Sequence, residues 1–453
     1  MNMQRFNLCA AFAAAALSAF GQGSLIPPGA PAETMKTLEQ IEPRMPISAL
    51  PYAIATSGSY YLTTNATAAS GSGITIEVGN VTLDLGGFTL AGADGTGDGI
   101  FIDGNQTNIW IGSGTVAGWG GAGVNAAAAT AAGFSALRVV GNGGWGIDAG
   151  ERATVRSCTA VENGDGSNGG INADIHSLIQ DCLATFNRGF GIHASGGGTV
   201  RDCVAINNNQ GIEAGDASTV QGCTSRDNGA EGFFAGAGVS IAGCAATANG
   251  GYGFRCSEAA VIAGCTARSN LRGIVAGSGA TVKDCSAFNS VEVGIEAGVN
   301  AAVSGCSALN NGGSGISVGV GSTVVDCAAR SNTEGILAGT GSTVRDCTAH
   351  YNNLGISVPN HCYLLNNNSH GNSYGIVVGL DRNRIEGNNV TDNGQYGLNV
   401  VYPGNIVLRN TARGNGTNYN IVPTNTVGQI LDYSAEAGGG IVTNANSWAN
   451  FSF

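Results

Sequence analysis

A Gly-Ile or Gly-aromatic step returns every 20 to 24 residues from Gly146-Ile147 to Gly397-Leu398, and no other feature limits the fold so tightly. A period of that length marks one small unit repeated and stacked, because so short a unit cannot bury its apolar side alone. Cysteines keep the same beat at Cys158, Cys182, Cys203, Cys223, Cys244, Cys265, Cys285, Cys306, Cys327 and Cys347. The same place then passes to Asn367, Asn389 and Asn410. One small residue per repeat is what a stacked interior column requires. Cysteine serves there as a small hydrophobe, and asparagine can bond to its neighbours above and below.

The flanking positions give each repeat its shape. From Asp181 to Asn388 the residue before this column is only Gly, Asp or Asn, the types that tolerate a left-handed backbone, so the chain bends there. Three residues before the column sits Val, Ile or Leu in most repeats, and two after it Ala, Ser or Thr. Five after it sits Asn in most repeats, from Asn163 to Asn415, which reads as a second turn. The Ile-x-Ala alternation after each glycine is strand-like, and Cys256 falls in its inner column. Glycine supplies 75 of 453 residues and no 3.6-residue pattern is present, so helices are excluded from the repeat. The expected fold class is all-β: a parallel β-helix, or solenoid, of coils stacked at roughly 4.8 Å. Coils of 20 to 24 residues favour the right-handed form, since left-handed solenoids prefer hexapeptide coils of about eighteen.

The predicted organisation has four parts. Residues 1–21 read as a signal peptide, with Arg5, an apolar stretch over 8–20 and a small-x-small site at Ala19-Phe20-Gly21. Residues 22–50 read as a linker and N-terminal cap containing a short helix over 33–41, residues 51–422 as the β-helix, and 423–453 as a C-terminal cap bearing Trp448, Phe451 and Phe453. The leader predicts a secreted, periplasmic or cell-envelope protein with no membrane insertion once it is removed.

The alternating stretch over residues 80–90 and the later rungs of the form Val-x-Asp-Cys-x-Ala-x-x-Asn-x-x-x-Gly-Ile resemble the right-handed parallel β-helix superfamily. Pectate-lyase-like polysaccharide lyases, NosD-like periplasmic proteins and mannuronan epimerases belong to that group. The resemblance spans roughly residues 50 to 420 and implies export and, often, a carbohydrate substrate. The Asp-Pro-His-Glu signature of the epimerases is absent from the sequence. Neither the paired aspartates of the polygalacturonase-like branch nor the calcium-binding aspartates of pectate lyases can be placed. No family catalytic residue therefore carries over.

Candidate chemistry has to come from the outward columns. The net charge of −12 weighs against nucleic acid and anionic membranes as partners. No Cys-x-x-Cys is present, so no metal site is expected, and no cofactor motif stands out. The cysteines read as buried thiols, with disulfides between neighbouring coils or metal ligation as the other options. The residue after each Gly-Ile isoleucine faces outward, and in four successive coils it is Asp148, Asn172, His193 and Glu213. Such a row can bind a sugar or move protons, with Asp148, His193 and Glu213 as catalytic candidates and Asn172 as a substrate contact. Extra turn residues over 163–170 fall beside it. A second column, three residues past the cysteines, holds Arg226, Arg268, Arg330, His350, His370 and Arg413, a stripe suited to an acidic polymer. The expected partner is a polysaccharide, possibly acidic, that is bound and possibly modified by lyase or epimerase chemistry. The competing classes are a non-catalytic structural or adhesive surface protein, in which both columns are solvated strand faces, and a trimeric spike.

Overall fold

The computed structural model describes residues 42–93, 95–433 and 446–453. The expected leader and the helix over 33–41 lie outside the described residues. The unit that begins at Met45 contains only strands and turns among the described residues. A regular coil contributes three short strands, as in Phe190–Ala194, Thr199–Arg201 and Val204–Ile206. The strands of the first face, which carry the Gly-Ile steps, form a stack of 18 from Tyr52–Ile54 to Thr417–Ile421, parallel throughout. The second and third faces share one 36-stranded sheet, joined where Ile109–Ala117 and Gly133–Val140 run unbroken through the corner between them. Strand pairing already begins at Met45–Ile47 against Tyr60–Leu62. At the far end Asn450–Ser452 pairs with Ile430–Asp432 and lies beside Thr411.

The inner positions of one coil show why the sequence folds this way. Ile192 and Ala194 enter from the first face, Val200 from the second and Ala205 from the third, all fully buried. Removing one such isoleucine down to alanine costs about 2–5 kcal/mol. Between the faces the chain turns through left-handed residues, Gly197, Asp202 and Asn207 in this coil, at φ of 68°, 54° and 54°. Each of those residues stands just before an inner position: Gly198, Cys203 and Asn208. The ten cysteines of the repeating column are buried, and each of their thiols lies near a carbonyl of its own corner, as Cys203 does to Arg201 O at 3.1 Å.

The asparagine positions are more than turn markers. Asn163, Asn187, Asn208, Asn228, Asn249 and Asn270 are all buried, and each side-chain oxygen accepts from the backbone N–H and the side-chain N–H of the asparagine one coil earlier. The remaining N–H of Asn208 donates to Ala184 O at 3.1 Å. This row explains the invariant glycine of the Gly-Ile step. A Cβ on Gly253 would lie 2.7 Å from Asn270 Nδ2 and 2.7 Å from Gly273 O, so the position excludes a side chain although its φ is ordinary.

One register differs from the expectation. The interior asparagine is Asn388, not Asn389: it is 1% exposed, donates to Asn410 Oδ1 at 3.0 Å and accepts from Asn367 at 2.9 Å. The left-handed bend falls on Gly387, which bears no Cβ, and turns Asn388 inward. Asn389 points out and bonds to Asn368. The shift also places Asn393 in the inner asparagine row, bonded to Asn415 at 2.8 Å.

Candidate functional site

Parallel pairing sets Asp148 beside Asn172, Asn172 beside His193, and His193 beside Glu213 on the outside of the first face. Asn172 Nδ2 donates to Asp148 Oδ1 at 2.7 Å, and Asn172 Oδ1 lies 2.5 Å from His193 Nδ1. A carboxylate only accepts, so Asp148 fixes which end of the amide faces it, and the amide oxygen then requires the imidazole proton on Nδ1. The Nε2 lone pair of neutral His193 is left facing Glu213, whose Oε1 is 3.7 Å away. Gln210 holds the other oxygen of Glu213 at 3.2 Å. Below the row, Asn125 bonds to Asp98 at 2.9 Å.

Aromatic rings flank the imidazole. Trp145 and Phe190 stack at 5.9 Å between centroids and 21° between planes, and they stand 6.3 and 5.6 Å from the His193 ring. Gly169 occupies the intervening coil, so no side chain separates the two rings. The outward place of Phe190 was not read from the sequence, because strict alternation back from His193 would turn it inward. In the structure Gly191 and Ile192 are both buried, which returns residue 190 to the outer side.

Burial displaces all three ionisable groups of the row. It pushes the Asp148 carboxyl up, against the Asn172 hydrogen bond and with help from Asp98 and Asp174. It pushes Glu213 up, against the Gln210 bond and with help from Glu231. It pulls His193 down, against the nearby Asp174. The row therefore sets an imidazole that takes up its proton late beside Glu213, a carboxyl that gives its proton up late, with Asp148 shifted the same way beyond Asn172.

Around the corner the extra turn residues open a cleft of about 340 Å³ lined by Glu162, Gly164, Phe186 and Arg188 among others. Phe186 is exposed and left-handed, at φ 56°. Its column, just before the inner asparagine, elsewhere holds Glu, Asn, Asp, Ala, Ser or Gly, with Tyr351 as the other aromatic. A bulky residue in that conformation is an outlier worth a functional question. The signal was present in the sequence as two aromatics in a column of small or polar residues.

The second expected column lies in register on the third face. Arg226 and Arg268 are separated by Thr247, and Arg226 pairs with Asp227 at 3.1 Å. Arg268 lies over Phe288 at 5.7 Å. Arg330, His350 and His370 are brought together in adjacent strands, while Thr391 separates Arg413 from them. Among the described residues no group of three His, Cys, Asp or Glu side chains is placed to hold a metal ion.

A family model described as "Right handed beta helix region" matches residues 214–354. No curated protein matches the chain. Among solved structures, the A-module of Azotobacter vinelandii mannuronan C-5 epimerase AlgE4 is 14% identical, with a TM-score of 0.35 over 73% of this chain and 91% of that one. The catalytic unit of a GH87 alpha-1,3-glucanase from Streptomyces thermodiastaticus is 12% identical, at a TM-score of 0.26 over 77% and 62%. The Dettilon tailspike protein is 15% identical, at 0.27 over 71% and 58%. The stacked parallel coils, with this family match inside them, give the chain the right-handed parallel β-helix fold.

Proposed function

We propose that the protein is exported and binds a polysaccharide along the first face, stacking a sugar on the Trp145–Phe190 pair and bonding its hydroxyls through Asp148, Asn172, His193 and Glu213. The observation that carries this reading is the fixed His193 ring, its Nε2 facing Glu213 at 3.7 Å and its flank closed by two stacked aromatics. Aromatic faces offer sugars an apolar, rigid platform, and the cleft at Phe186 and Arg188 lengthens the surface available to a polymer. The same geometry supports proton transfer of the lyase or epimerase kind. Neutral His193 is the base, and Glu213, held protonated longer than an open carboxyl, is the acid.

Affinity electrophoresis through gels containing alginate, pectin, sulfated glycans or neutral glycans tests the binding. Retardation by one polymer, weakened about tenfold (1.4 kcal/mol) in Trp145→Ala, is the expected result. In that polymer, product formation lost in His193→Ala but kept in Trp145→Phe would place the chemistry at the imidazole. Free migration through every gel would leave the structural or adhesive repeat protein as the reading, and the first face as solvated strand.

A further inference from the structure

We propose that Arg330, His350, Tyr351 and His370 form a second binding site, on the third face, for an oxyanion carried by a glycan, either a uronate carboxylate or a sulfate ester. Three observations converge on it. Tyr351 is held left-handed at φ 54° and remains 54% exposed. Its ring receives the Arg330 guanidinium at 5.4 Å and meets the His350 and His370 rings edge-on at 6.4 and 5.6 Å. The next coil makes room for this ring: a Cβ on Gly371 would lie 2.7 Å from Tyr351 Cε1. A bulky side chain kept in a strained corner, with the following corner cleared for it, is not what solvated packing alone selects.

The third observation is a missing partner. Nε2 of His350 is buried and makes no hydrogen bond. Buried polar nitrogens are nearly always bonded, so the orphan points to a group that completes the site. An oxyanion that reaches Nε2 bonds to Nε2–H of the protonated imidazole, with the Arg330 guanidinium, held over the Tyr351 ring at 5.4 Å, adding its charge. A metal cation is disfavoured by Arg330. The charged and titratable groups around His350 are Arg330, His370 and Tyr351, and beyond them Asp392, which lies 3.4 Å from His370 Nδ1, where Thr391 Oγ1 also bonds at 3.0 Å. Burial, then His370, then Arg330 keep His350 below the usual imidazole range, so its ring resists protonation. Anion binding takes up a proton at His350 and strengthens as pH falls.

The test is a titration of the full-length protein with trigalacturonate, a sulfated oligosaccharide and inorganic sulfate at pH 5.5 and 7.5, following the His350 ring resonances and the heat of binding. Either glycan should bind, move the His350 signals and weaken by about tenfold or more between the two pH values; which of the two does so identifies the source of the oxyanion. Arg330→Gln, on an exposed strand face, should abolish the effect while its melting curve stays that of the parent. Arg156→Gln, which removes the same charge from another face, should leave it intact. The proposal is overturned if His350 ignores both glycans, if inorganic sulfate alone shifts it, or if Arg330→Gln binds as well as the parent. Because the reporter is His350 and not the Trp145 face, loss of this site and loss of the first-face reading are told apart.

Discussion

The asparagine row has one interruption, and it shows what each residue in the row contributes. At Ser290 the backbone N–H still donates to Asn311 Oδ1 at 3.0 Å, but the buried hydroxyl has no partner. Asn270 retains only the bond from its amide to Ala246 O among its side-chain bonds to acceptors. Ser290→Asn restores the acceptor for Asn270 and removes the orphan, so a gain of about 1 kcal/mol is expected, read as a higher urea midpoint. The opposite change is Gly253→Ala. Its methyl would meet an amide nitrogen and a backbone carbonyl, neither of which can yield, so a loss of about 1–3 kcal/mol is expected in the same measurement. These two substitutions also separate what the sequence disclosed from what it hid. The five-residue offset from cysteine to asparagine is plain in the sequence, but a turn asparagine and an interior asparagine share a letter. Only the inward amide, and the glycine emptied opposite it, distinguish them. The choice of Asn388 over Asn389, by contrast, was legible: Ile385 stands three before Asn388 and Asn393 five after it, whereas Asn389 has Glu386 and Gly394 in those places.

At the scale of one strand, the outward row from Asp148 to Glu213 was legible because parallel coils of nearly equal length put equivalent residues side by side. The aromatic half of the site was not, because Phe190–Ala194 buries two consecutive residues and breaks the two-residue period. Burial of this row also fixes its response to pH. His193 titrates below its usual 6.5 in the fold, so as pH falls from 6.5 toward that lower value the unfolded chain takes the proton first and stability declines. For Glu213 the folded value lies above 4.5, so the unfolded chain loses its proton first as pH rises, and stability declines from about 4.5 up through the folded value. Glu213→Gln removes that penalty. Its melting temperature is expected to equal or exceed the parent's at pH 7, with the advantage vanishing below pH 4.5, while glycan retardation weakens. A variant that melts lower at pH 7 would show that the carboxylate stabilises the face, contrary to the desolvation argument.

For the whole molecule, the period predicts independence between distant coils. Each strand pairs only with its equivalents one coil up and down, as Thr266–Arg268 does with Ala245–Thr247 and Ser286–Phe288. In such a one-dimensional stack, stability is close to a sum of coil and nearest-neighbour terms. Excising residues 245–265 removes one complete coil and joins Cys244 to Thr266, which keeps every inner column in phase. The shortened chain is expected to fold and to lose about 4.8 Å of length, one strand spacing. Both the His193 row and the Tyr351 cluster lie outside the excised coil, so their ligand responses should survive. Excising residues 245–254 instead removes Asn249 and the Gly253-Phe254 step and leaves about half a coil between Cys244 and Cys265, too short to circle the core, so the inner columns on either side fall out of phase and lose their pairing partners. That chain should lose its β-sheet signal in circular dichroism. If the complete-coil deletion fails in the same way, coupling must extend beyond adjacent coils, and the two candidate sites could no longer be treated as separate along the stack.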